Sequence, residues 1–126
     1  MNDKNKEMRM VLYHAQDDDV SVNALIENET LWVTQKAMAE LFDCSVDNIS
    51  LHLKNIYAEN ELDKKATTED FSVVRLEGNR QVTRTVTHYD LDAIISVGYR
   101  VNSKKATAFR IWATNVLKAG LEELRR

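Results

Sequence analysis

Three histidines, one cysteine and a scatter of carboxylates are the side chains of this 126-residue sequence best equipped to hold a metal or to act as nucleophile or base. Their spacing supports neither use. His14, His52 and His88 are far apart, and none stands at a metal-ligand interval from Cys44 or from a carboxylate pair, so no zinc site is expected. Asp17, Asp18 and Asp19 lack the bend glycine and closing acid of a calcium loop, and read as a solvated turn. Cys44 falls where an inter-helix turn commonly buries an apolar residue, which makes it a packing residue rather than a nucleophile. Asp90 and Asp92 suggest an acid pair, but helix capping accounts for the first and exposure for the second. There is no glycine-rich phosphate loop and no Gly-x-Ser-x-Gly elbow. The expectation is a non-enzyme with no catalytic residue, no metal and no cofactor.

The chemistry that the spacing does favour is recognition. Ser45, Asp47, Asn48, Ser50, Leu51 and His52 form a run of short polar groups with one apolar member, suited to reading base edges without long lever arms, and Lys54 follows at a phosphate-contact position. Asp47 is the awkward member, because a carboxylate accepts from cytosine N4 but repels backbone phosphates.

These residues need a helix to present them, and the stretch from Thr34 to Tyr57 supplies one. Thr34 caps a first helix in which Met38, Leu41 and Phe42 share a face, Val33 staples onto Met38, and Lys36 and Glu40 form an exposed pair. Asp43-Cys44 breaks the pattern, Ser45 caps again, and Val46, Ile49, Leu53 and Ile56 recur at helical spacing. Two short amphipathic helices across a tight turn read as a helix-turn-helix for DNA, or as a plain structural helix pair with a solvated face.

The flanks read as β-structure before the pair, and as β-structure followed by helix after it. Residues 10–16 are β-compatible; Val20 to Ile26 and Leu31-Trp32-Val33 form an N-terminal β-hairpin, with Trp32 as its core anchor. Residues 64–70 are a polar connector. The runs 71–77 and 81–89, separated by Gly78-Asn79-Arg80, form a second hairpin, which either acts as a wing or completes a sheet with the N-terminal strands. Asp90 caps a helix carrying Leu91, Ile94 and Ile95 that weakens near Gly98. Ser103 caps a last helix striped by Ala106, Phe109, Ala113, Val116, Leu117, Leu121 and Leu124. The fold class is therefore α+β: a helix-turn-helix flanked by two hairpins and closed by two C-terminal helices. A frayed tail over residues 1–9 precedes a single domain over residues 10–126.

Charge is uneven along the chain. Residues 1–43 carry four basic and nine acidic side chains, a net −5, whereas residues 71–126 carry ten and five, a net +5. If DNA binds, phosphate neutralisation falls mainly to Arg75, Arg80, Arg84, Arg100, Lys104, Lys105 and Arg110. Arg100, Asn102, Ser103, Lys104 and Lys105 suggest either an anion site at a helix start or an ordinary capped helix with a basic first turn. The single cysteine allows no intrachain disulfide and no apolar run approaches a membrane span, so the expected location is the bacterial cytoplasm, at the nucleoid if DNA is bound.

The segments ETLWVTQKAMAELF, ISLHLKNIYAENEL and YDLDAIISVGYRVNSKKATAFRIWATNVL resemble the RhuM family of virulence-associated and mobile-element proteins over about residues 10–118, most densely from Tyr89 to Trp112. Ser103-Lys104-Lys105-Ala106 with Phe109 and Trp112 is more distantly similar to the Bro-N and KilA-N domains of phage and large-virus regulators. The resemblance implies a compact α+β domain, often N-terminal in a longer protein, and double-stranded DNA as partner. Asp90 replaces the family's usual asparagine and Asp43 its small turn residue. The chain ends soon after the last matched helix, as an excised domain or a short member would. Two further expectations follow: a homodimer through Leu117, Leu121 and Leu124, and, as the alternative function, an antirepressor-like adaptor that binds a basic protein rather than DNA.

Overall fold

A computed structural model describes residues 7–14 and 19–124. Calls on Asp17 and Asp18, and on residues 1–6 of the N-terminal tail, lie outside the described residues, as do Arg125, Arg126 and the side chain of Leu124. The described residues form an α+β fold of two small antiparallel sheets and five helices.

The first sheet is a meander of β1 (Met8–His14), β2 (Asp19–Glu27) and β3 (Thr30–Trp32). Its first strand starts at Met8, two residues ahead of the expected run. A bulge between Val11 and Tyr13 shifts the register against β2, and Tyr13 is buried in the core. Asn28 and Glu29, both at positive φ, make the two-residue turn between β2 and β3, the backbone that matches strand twist.

Helices α1 (Gln35–Phe42) and α2 (Val46–Ala58) follow directly. Residues 64–70, expected as a connector, instead form a one-turn helix α3 (Lys64–Thr67) and the start of β4 (Thr68–Glu77). Hydroxyl bonds make that difference. Thr67 and Thr68 donate back to the carbonyls of Asp63 and Lys64, and buried Thr67 also meets the Tyr57 hydroxyl at 2.9 Å. The second hairpin pairs β4 with β5 (Arg80–Tyr89) in unbroken register from Thr68↔Tyr89 to Glu77↔Arg80, turning at Gly78 with φ 63.

The hairpin does not merge with the meander into one sheet. A single bridge joins them, with Val33 N–H to Tyr89 O at 2.9 Å and Tyr89 N–H to Val33 O at 2.7 Å. Its base packs Phe71 and Val73 against Leu25 and Trp32, and the Trp32 indole donates to the Glu27 carbonyl. Its far half is exposed, with Leu76 73% accessible.

Helix α4 (Leu91–Gly98) and helix α5 (Lys104–Leu124) close the domain. The main core gathers Met38, Phe42, Ile49, Ile56, Ile94, Val97 and Phe109. Helix α4 ends at Gly98, the expected point of weakening, and the buried glycine also makes a tight contact with the Phe109 ring. Trp112 stacks on Tyr13 with ring centroids 4.8 Å apart. Beyond Ala113 the stripe of α5 runs out of core, leaving Val116, Leu117 and Leu121 exposed.

Candidate nucleic-acid interface

The two helices of the central pair are fixed by caps read directly from the sequence. The Thr34 hydroxyl accepts from Ala37 N–H at 3.1 Å, and the Ser45 hydroxyl accepts from Asn48 N–H at 3.0 Å. Between them Asp43 takes the left-handed conformation, φ 54 and ψ 57, and Cys44 N–H closes onto the Ala39 carbonyl at 3.0 Å. An aspartate thus does the work that glycine more often does at such a turn.

Ile49, Leu53 and Ile56 bury one side of α2 against α1 and α4. Asp47, Asn48, Ser50, Leu51 and Lys54 are exposed, with Leu51 at 56%. Ser45, also exposed, spends its hydroxyl acceptor on the cap. His52 departs from this group: it is half-buried on the flank, where desolvation first, and then the nearby Arg100 charge, hold its pKa below the usual histidine value. Val46, 44% exposed, lies beside Asp47 instead of joining the buried stripe. Burial, with a smaller push from Asp43, raises the Cys44 thiol.

The remaining elements hold the pair from behind. The Asp90 carboxylate caps α4 through Ala93 N–H at 3.1 Å, and burial raises its pKa. Ser103 accepts from Ala106 N–H at 3.0 Å while donating to the Phe42 carbonyl at 2.6 Å, so the start of α5 is tied to the end of α1. Residues 66–122 match the virulence protein RhuM family. The match takes in the β4–β5 hairpin, α4 and most of α5, and stops short of α1 and α2. Neither the curated proteins nor the solved structures gave a match to the chain.

Within this matched segment the arginines are more engaged than their charge alone suggests. Arg84 forms a two-bonded pair with Glu77 at 2.8 and 3.0 Å. Arg100 bridges Glu59 and Glu61 at 2.8 and 2.7 Å, joining the end of α2 to the turn after α4. These pairs lower the pKa of Glu77 and Glu61 and raise those of their arginines. Arg110 donates to the carbonyls of Gly98 and Val101, satisfying acceptors left over at the α4 terminus. Arg75 faces Glu7 at 3.4 Å. Lys54, Arg80, Lys104 and Lys105 are exposed and make no ion pair among the described residues. They sit in three places: on α2, at the hairpin tip and at the start of α5.

One cluster had no visible signal in the sequence. His88 is fully buried, with Nδ1 2.9 Å from the Val86 carbonyl and Nε2 2.9 Å from the Glu7 carboxylate. The hydrogen bond from His88, opposed by burial and helped by Arg75, draws the Glu7 pKa below the usual carboxylate value. Glu7 falls in the stretch expected to fray, so no spacing rule would pair it with a histidine so far along the chain. Among the described residues no group of three or more histidine, cysteine or acidic side chains is arranged to hold a metal, and no helix is long and apolar enough to cross a membrane.

Proposed function

We propose that this chain is a non-enzymatic, DNA-binding regulatory domain that reads duplex DNA with α2, of the kind found in phage and genomic-island regulators. The observation that carries the reading is the exposed stripe of α2: Asp47, Asn48, Ser50, Leu51 and Lys54 stand free of packing on a helix whose other side is locked by Ile49, Leu53 and Ile56. A side chain meant to meet base edges must be rigidly based and unencumbered, and these are both. Phosphate contacts come from Lys54, Arg80, Lys104 and Lys105, which are exposed and make no ion pair among the described residues. Arg84, and Arg100 with its two partners, would have to exchange a carboxylate for a phosphate. The protein then works in the bacterial cytoplasm, at the nucleoid.

Selection of bound duplexes from a random library, begun at low salt, tests the reading. Enrichment of a short motif, lost in Asn48→Ala, is the expected result; a pool that stays random after repeated rounds refutes site-specific binding. A second reading, an antirepressor-like adaptor, is favoured by the exposed Val116, Leu117 and Leu121, the same residues through which a homodimer would pair under either reading. The adaptor predicts that the chain passes a low-salt duplex column unretained; the homodimer predicts that light scattering reports a dimer that Leu117→Lys disperses.

A further inference from the structure

A cleft of about 330 Å³ opens between the first turn of α1 and the inner half of the hairpin, lined by Gln35, Lys36, Arg75, Thr87 and Tyr89. Its polar groups are disposed to donate. Lys36 is exposed at the rim and makes no ion pair among the described residues; Glu40, the partner that helical spacing offers it, faces Arg9 at 3.9 Å instead. The Arg75 Nε is buried and has no acceptor. A buried donor left unmatched is costly, and an acceptor supplied by a water, an ion or a ligand relieves that cost. The Tyr89 hydroxyl accepts from Gln35 Nε2 at 2.9 Å, so its own proton remains to be given. The Thr87 hydroxyl is occupied with Asp70 at 2.7 Å.

The nearby carboxylates lie outside the cleft lining: Asp70 is bound to Thr87, and of the two acids in an adjoining hollow Glu40 faces Arg9 while Glu7 is turned to a structural task. Glu7 lies against Arg75 in that hollow, which Lys36 also lines, and its second oxygen is bound to His88. Glu7 thereby steadies the guanidinium from one side, outside the cleft. The lining of the cleft itself carries two cations and no carboxylate, and the acceptor it calls for is anionic.

We infer that the Lys36–Arg75 cleft binds a phosphodiester group of the DNA backbone, anchoring the duplex beside the hairpin base while α2 reads it. The inference rests on the DNA-binding reading above. It assigns a phosphate contact to Lys36 and gives Arg75 a receiving site rather than a place on an open strand. A tetrahedral phosphate oxygen accepts simultaneously from an ammonium, a guanidinium and a hydroxyl, which is the donor set found here.

The test is fluorescence anisotropy with a labelled duplex pool across a salt series, on wild type, Lys36→Gln and Lys36→Arg, with amide spectra recorded during titration with inorganic phosphate. Lys36 is exposed, so neither variant disturbs the core. Lys36→Gln is expected to weaken binding about three- to tenfold and to flatten the log–log salt slope by about 0.9, with Lys36→Arg restoring both. Wild-type affinity and slope in Lys36→Gln, while wild type binds duplex, overturn the cleft and leave the DNA-binding reading standing. No duplex binding by wild type overturns both. If inorganic phosphate alone then shifts the amides of Gln35, Lys36 and Thr87, the cleft is a site for a free phosphate ligand and the backbone assignment falls.

Discussion

Replacing Gly98 by alanine puts a methyl group where the fold has no room for one. A Cβ at that position would lie 2.6 Å from both Cδ2 and Cε2 of Phe109 and 3.0 Å from Cζ of Phe42. The Phe109 ring has no free direction in which to withdraw. It is fully buried, and Phe42, Trp112 and Tyr13 hold it at centroid separations of 5.2, 5.7 and 6.0 Å. Overpacking by one methyl typically costs about 1–3 kcal/mol, and the helical advantage of alanine over glycine returns about 1 kcal/mol of that. The expected net loss is about 0–2 kcal/mol, or up to roughly 8 °C in Tm for a domain of this size, and contacts of 2.6 Å with two ring carbons place it in the upper half of that range. Gly120 supplies the contrast, since an added Cβ there meets nothing within 4 Å. Gly120→Ala is expected to be neutral or more stable by up to about 1 kcal/mol. Urea unfolding followed by circular dichroism and tryptophan fluorescence, with midpoints compared at a constant m value, measures both. A Gly98→Ala protein that unfolds at or above the wild-type midpoint would falsify the closed aromatic box between α4 and α5.

Three further predictions use other parts of the molecule. Asp43→Gly relieves a left-handed backbone, φ 54, and is expected to raise stability by about 0.5–1 kcal/mol in a thermal melt; a lower Tm would mean that the aspartate contributes something beyond the turn. Because the folded Glu7 pKa is depressed below 4.5, its contribution to stability is complete above the unfolded value and is lost as pH falls through the folded one. Glu7→Gln should therefore be less stable than wild type at pH 7, with the gap narrowing below about pH 4.5 in parallel urea titrations; a gap independent of pH sinks the assignment. His52 should titrate below 6.5 by NMR, and Arg100→Gln should move it only part of the way back, since desolvation is the larger cause; no movement at all would separate the two residues.

How far the sequence carried can be read from particular residues. Thr34, Ser45, Asp90 and Ser103 each cap the helix expected of them, because a cap is a contact three residues long and leaves its signature in local spacing. The second hairpin was legible for the same reason, through its β-branched runs and Gly78. Contacts between distant segments were not. That Arg100 would reach Glu59 and Glu61, that Arg110 would serve the end of α4, and that His88 would take Glu7 depend on how elements dock, and nothing in periodicity encodes the pairing. His52 shows the intermediate case. Helical spacing placed it on α2, but whether a residue at the edge of a stripe is wet or buried depends on the neighbour, here the segment carrying Arg100.

The Val33–Tyr89 bridge has a consequence for the order in which the chain folds. Each partner stands between a strand and a helix: Val33 follows β3 and leads through Thr34 into α1, and Tyr89 ends β5 and leads through Asp90 into α4. Bringing them together closes a long loop, and its entropic cost grows only slowly with length, so the step is limited less by distance than by the readiness of its ends. Those ends become ready when the two hairpins have formed, each from local contacts. The α1–α2 pair can thus fold as a unit early, yet reach its final orientation only after β5 has been made, which ties the posture of α2 to the segment that matches the RhuM family model.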